Sequence, residues 1–141
     1  MAANVNEEIL THDVAMMEAH VKRMQGVTFA ELQRVLAQDM PTFGNQDILA
    51  PENLVFWIGL SDRFTAAFTK LVHEGRVHMW PTTAWAYLVE GACLRLPIAQ
   101  HPGERDYKTL HWVPIVIHPG PYRHADGTVV DVYGAACQSG K

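Results

Sequence analysis

The amino-acid sequence predicts an α+β protein, with helices first and a small antiparallel sheet in its second half. Three observations carry this. Up to Gly75, apolar residues recur at helical spacing behind capping residues. From Arg76 onward, short alternating runs are separated by proline- and glycine-rich turns. The 141 residues, 48% hydrophobic and 18% charged, suit one folded domain and exclude disorder for the bulk of the chain. We read a single domain over 1–141, with an N-terminal helix in 1–26, a helical motif and its following hairpin in 27–90, and additional β-strands and loops in 91–141.

Residues Glu7 to Gln25 form the first helix, with Asn6 as N-cap, Glu7 and Glu8 at the positive end of the helix dipole, and Lys22 and Arg23 before the stop at Gly26. Leu10, Val14, Met17, Val21 and Met24 alternate at spacings of four and three. This narrow seam suits either the chain's own core or a homodimer contact along 7–25. Thr28 opens a second helix, with Glu31 in the capping-box position. Phe29, Leu32, Val35 and Leu36 give its apolar stripe, and Gln33 and Arg34 are expected to face outward. Met40 to Asp47 reads as a loop.

Pro51 is expected to start a short buried helix running to Ile58, because its missing amide proton costs nothing at a first helical position. Gly59 breaks it, Leu60 anchors the turn, and Ser61 caps the next helix, Asp62 to Glu74. There Phe64, Phe68, Leu71 and Val72 form one inward stripe, while Arg63, Ala66, Thr69, Lys70 and His73 point the other way. Gly75 ends the helix and Arg76 to Trp80 alternates as a strand. Together these elements make a helix-turn-helix between Asn53 and Gly75.

The run NLVFWIGLSDRFTAAFTKLVHEGRVHMW resembles a winged helix-turn-helix domain of bacterial type. The resemblance rests on Gly59, Leu60, Ser61, Phe64, Phe68, Leu71, Gly75 and Val77, and covers about a quarter of the chain. It implies a winged-helix-like fold and sequence-specific DNA binding by a cytoplasmic transcription regulator, with helix 62–74 as recognition helix. Thr28 to Leu36 also imitates the second helix of a winged domain, in which case Pro51 to Gly59 is an insertion. The tighter motif has the three-residue turn that helix-turn-helix geometry wants.

Under that reading, Ser61 offers its amide and hydroxyl to a phosphate and Arg63 forks onto a guanine edge. Thr65, Ala66 and Thr69 are short enough for close approach, and Lys70, His73 and Arg76 suit phosphates. A homodimer would pair two half-sites. The formal charge of −4 stands against this unless the basic residues gather on one face, because phosphate neutralisation supplies most non-specific affinity. The alternative is a winged-helix protein-interaction module without DNA binding, which uses the same helix and an aromatic wing at Trp80 and Trp85. Surface charge separates the two: DNA binding needs Lys22, Arg23, Arg34, Arg63, Lys70 and Arg76 on one face, clear of acids. Trp80 and Trp85 are also expected to oppose each other across a hairpin turning at Pro81 and Thr82.

Further on, Ala92 to Ile98 and Leu110 to His118 are expected strands, the second bulged or at an edge because of Pro114. Asp126-Gly127 signals a hairpin, and Thr128 to Tyr133 is its returning strand. No metal or other cofactor is expected. His111, His118 and His124 are metal candidates only if the last hairpin brings them together, and no ligand-spacing motif supports that. Cys93 and Cys137 read as free thiols, and neither carries a catalytic signature. No apolar run is long enough to span a bilayer, and the acidic N-terminus does not read as an export signal.

Overall fold

The computed structural model describes residues 6–102 and 106–121. Helix α1 (Glu7–Met24) starts where the Asn6 side chain accepts the Ile9 amide, and ends on Gln25 in the left-handed conformation. Helix α2 (Phe29–Leu36) is capped by Thr28, whose hydroxyl accepts the Glu31 amide at 3.0 Å. The reciprocal half of that capping box is not made. The Glu31 carboxylate turns to His20 on α1, and the Thr28 hydroxyl donates to Glu90.

The segment between α2 and the next helix departs from expectation. Residues 43–60 form a hairpin of β1 (Phe43–Ala50) and β2 (Leu54–Leu60), paired antiparallel with an irregular register. The short helix expected from Pro51 to Ile58 is therefore a turn and a strand, and part of the expected loop Met40 to Asp47 belongs to β1. The connection is the three residues 51–53, between the paired Ala50 and Leu54, and Glu52 and Asn53 in it carry the left-handed φ of 67° and 65° that lets the chain reverse so tightly. A short, continuously apolar run such as LVFWI has no period that distinguishes a buried helix from a buried strand. Its β-branched and aromatic content favours the strand. The helix-turn-helix expected between Asn53 and Gly75 thus lacks its first helix.

Helix α3 (Asp62–His73) follows as expected. The Ser61 hydroxyl accepts the Phe64 amide and donates to the Pro41 carbonyl at 2.8 Å. Phe64, Phe68 and Leu71 are buried, joined by Ala67. Strand β3 (Val77–Pro81) carries Trp80, but Trp85 lies on a single helical turn, α4 (Trp85–Leu88). The two tryptophans do not oppose each other across a hairpin, because the residue opposite Trp80 is Val116. Pro114 splits the expected strand Leu110 to His118 into β4 (His111–Trp112) and β5 (Ile115–Pro119), since a proline cannot donate to a ladder. β4 extends the first sheet beside β2 in parallel, and β5 pairs antiparallel with β3. Ala92 to Ile98 forms no strand; only Ile98 makes a bridge, to Trp112. On its other edge β5 is bridged by Val27, through reciprocal Val27–Ile117 bonds of 3.1 and 2.7 Å. The expected turn at Asp126-Gly127 and strand Thr128 to Tyr133, with His124 and Cys137, lie outside the described residues.

An aromatic core joins these layers. Trp57 packs between Phe29 and Tyr87, and Tyr87 meets Trp112 edge-on at 5.2 Å. Gln33 is buried at its heart rather than facing outward. Its amide accepts from Trp57 Nε1 at 2.8 Å and donates to the Thr42 and Gly59 carbonyls. The requirement to satisfy those inward-facing backbone groups overrides the outward position that a polar residue would otherwise prefer. The α1 seam faces the chain's own interior: Val14, Met17 and Val21 are buried, and Met24 is exposed. No helix among the described residues is long and apolar enough to cross a membrane.

Candidate functional site on the outer face of α3

The outward side of α3 lines an open groove of about 590 Å³, with Leu10 of α1 on one wall and Gln46 of β1 on the other. Thr65, Ala66 and Thr69 form its floor, and Asp62, Lys70, His73 and Glu74 contribute the polar lining. Five of the eight residues expected at a DNA interface therefore converge here: Thr65, Ala66, Thr69, Lys70 and His73. Leu10, Gln46, Asp62 and Glu74 join them unanticipated. Ser61 is buried under α3, and its hydroxyl is committed to the cap and to Pro41.

Arg63 and Arg76 are drawn off the face. The Arg63 guanidinium makes two 2.8 Å bonds to the carboxylate of Asp13, whose side chain is 0% exposed. Burial pushes the Asp13 carboxyl up, but the bonds and charges of Arg63 and His12 outweigh it and hold it below its ordinary range. Arg76 binds Glu18 with two nitrogens and Glu74 with a third. The bond from Arg76 is the main reason the Glu18 carboxyl lies below its usual value. Lys70 pairs with Glu74 at 2.8 Å, Lys22 with Glu18 and Arg34 with Glu90, each at 3.6 Å. Arg23 donates to His20 Nδ1. A guanidinium can only donate, so His20 carries its proton on Nε2 and gives it to Glu31. Each of the six cations needed on one free face thus has a partner, and for five of them that partner is a carboxylate. Within the groove itself, Glu74 is shared by Lys70 and Arg76, and Asp62 accepts from Gln46.

A clue to this arrangement lay in the seam. Asp13 sits between Leu10, Val14 and Met17 at helical spacing, so a carboxylate on the buried side of α1 needs a cation. Nothing local to the sequence identifies Arg63, fifty residues away, as that cation.

A second feature is apolar. Trp85 is 71% and Val89 78% exposed, with Leu88 beside them, while Tyr87 of the same turn is buried. The Tyr87 hydroxyl donates to the Ile115 carbonyl and accepts the Phe29 amide, which pins α4 to the core. Among the described residues no cluster of three or more His, Cys, Asp or Glu is placed to hold a metal. His111 packs on Tyr107, whereas His118 stacks on His78. Cys93 is exposed.

Comparison with protein-family models, with curated proteins and with solved structures returned no match.

Proposed function

We propose that this chain is a protein-interaction module derived from a winged helix, with α2 and α3 as the two helices of the motif and β1–β2 inserted between them. Val27, β5 and β3 lie side by side as a small winged-helix sheet would, which supports that topology. One observation carries the functional reading: the arginine best suited to a base edge, Arg63, is clasped by a buried carboxylate. Releasing it to guanine would leave Asp13 charged and buried with only His12 bonded to it; breaking a buried pair costs roughly 3–5 kcal/mol, against the roughly 1–3 kcal/mol of a good base contact.

The partner this site fits is an apolar protein segment with basic flanks: its apolar side meets Leu10 and Ala66, and its cations join Lys70 and Arg76 at Glu74 and approach Asp62 beside Gln46. Two designed amphipathic peptides test this, one with a lysine-rich and one with a glutamate-rich polar face. The lysine-rich peptide should bind, the glutamate-rich one should not, and Ala66→Arg on the groove floor should abolish binding. Equal binding of both peptides, or binding indifferent to Ala66→Arg, would overturn the assignment of the groove.

DNA reading by α3 is the second proposal. It is favoured by the exposure of Lys70 and His73 on a helix face with short neighbours, and it requires the Arg63 clasp to open.

A further inference from the structure

A second groove runs between α1 and α2 and shares no lining residue with the groove on α3. It measures about 350 Å³, the small end of the range in which proteins hold small ligands. Met16 and Ala19 of α1 and Val35 and Leu36 of α2 give it apolar walls. Charged side chains mark its two ends. His20 is bonded to Glu31 in the first turn of α2, so Arg23, which donates to the same ring, stands at the end where α2 begins. Asp39 follows the last turn of α2 and stands at the other end. At helical pitch the rise from Glu31 to Asp39 is about 12 Å.

Neither charge is offset by its neighbours. Among the described residues, Arg23 has no carboxylate partner and Asp39 has no cation. Arg23 gives an N–H to His20 Nδ1 at 2.8 Å. That ring accepts at Nδ1 and donates from Nε2, so it is neutral and holds the guanidinium in place without cancelling its charge. A guanidinium carries five donors, and the remaining ones are open to a carboxylate. Asp39 lies just past the C-terminus of α2, where the helix dipole is also negative. Side chain and dipole therefore both favour a cation at that end.

We propose that the α1–α2 groove binds a short apolar peptide with free ends, its C-terminal carboxylate on Arg23 and its N-terminal ammonium at Asp39. Three to four extended residues span roughly 10–14 Å, which matches the separation of the two ends along α2. The apolar side chains of the peptide rest on Met16, Ala19, Val35 and Leu36. Opposite charges at the two ends also set the direction of the bound chain, because the reversed peptide would bring like charges together. This site stands apart from the α3 groove and does not depend on what that groove binds.

The test uses the full chain and trileucine, with binding measured by calorimetry. Blocking either end of the same peptide, by N-acetylation or by C-amidation, should weaken binding about tenfold or more, as the loss of a hydrogen bond between charged groups does. Arg23→Gln should make the protein indifferent to C-amidation, and Asp39→Asn should make it indifferent to N-acetylation. Both side chains are exposed, and the blocked peptides need no variant, so the test decides even if a substitution impairs folding. Ala66→Arg in the α3 groove should leave trileucine binding unchanged, which separates the two sites. Equal affinity for free and blocked peptides, loss of binding on Ala66→Arg, or no binding at millimolar peptide would overturn the proposal.

Discussion

Arg63 on α3 and Asp13 on α1 form a two-pronged ion pair, with both N–O distances 2.8 Å and the carboxylate wholly inside the protein. That contact fixes the two helices against each other and withdraws the most suitable base-reading side chain from the surface. Removing one partner should therefore act on stability rather than on recognition. Arg63→Ala leaves the buried carboxylate with His12 alone and should cost about 3 kcal/mol, at the lower end of what breaking such pairs costs because His12 remains and Arg63 itself is partly solvated. Replacing both with apolar residues, Asp13→Leu with Arg63→Met, should recover most of the loss. Urea denaturation of the two variants measures this; equal destabilisation in both would show that the pair, and not the stranded charge, is what matters.

The same carboxylates set the acid limit of the fold. Asp13 and Glu18 lie below their ordinary values of 3.8 and 4.5, so the folded chain binds fewer protons than the unfolded one in that range. Their contribution is complete above about pH 5 and is lost as pH falls through their lowered folded values. Asp13→Asn should flatten the dependence of the urea midpoint on pH below about pH 4.5. A wild-type midpoint that does not change with pH there would contradict the paired state of both groups.

Gln33 links α2 to the β1–β2 hairpin through Trp57, Thr42 and Gly59. Gln33→Ala leaves a buried indole N–H and two carbonyls to find other partners, and should cost about 2–4 kcal/mol as several unmet buried groups together. Urea denaturation measures the loss, and a variant as stable as wild type would mean water replaces the amide without loss.

Gly44 packs where a Cβ would stand 2.8 Å from the Leu60 carbonyl oxygen and the Ser61 Cα. Both are backbone atoms, so neither can rotate aside. Gly44→Ala should destabilise by about 1–3 kcal/mol and disturb the irregular β1–β2 register. Calorimetry of that variant, compared with an alanine at the exposed position Gln38, checks it.

Neighbouring residues on α4 should separate surface from core. Tyr87→Phe removes a hydroxyl that both donates and accepts inside the protein, and should cost about 1–3 kcal/mol. Trp85→Ala truncates a side chain that is 71% exposed, and should change stability by about 0.5 kcal/mol or less. A large loss from Trp85→Ala would mean that α4 is held differently.

What the sequence made legible was local. Asn6, Thr28 and Ser61 each cap the helix they precede, because a cap needs only a hydroxyl or amide three residues from its partner. The inward stripe of α3 followed from spacing alone. The hairpin at 43–60 did not, because Leu54 to Leu60 is apolar on both faces and the turn signal at Glu52-Asn53 was masked by the helix-starting appearance of Pro51. The site was half legible: its floor of Thr65, Ala66 and Thr69 came from helical periodicity. Its electrostatics came from Asp13 and Glu18, which only tertiary packing brings to Arg63 and Arg76.

Of the six cations that a DNA-reading face would need, five are held by carboxylates of the same chain and Arg23 by His20; on the reading proposed above, α3 then serves a protein partner. The most direct measurement is the salt dependence of binding to a mixed-sequence DNA duplex, for the wild type and for the double variant Arg63→Ala, Lys70→Ala. Binding no tighter than about 100 μM even at low salt, the weak end of non-specific binding, is expected, with no difference between the two proteins. Micromolar binding that weakens steeply with salt, with a shallower slope in the variant, would contradict it and return α3 to the major groove.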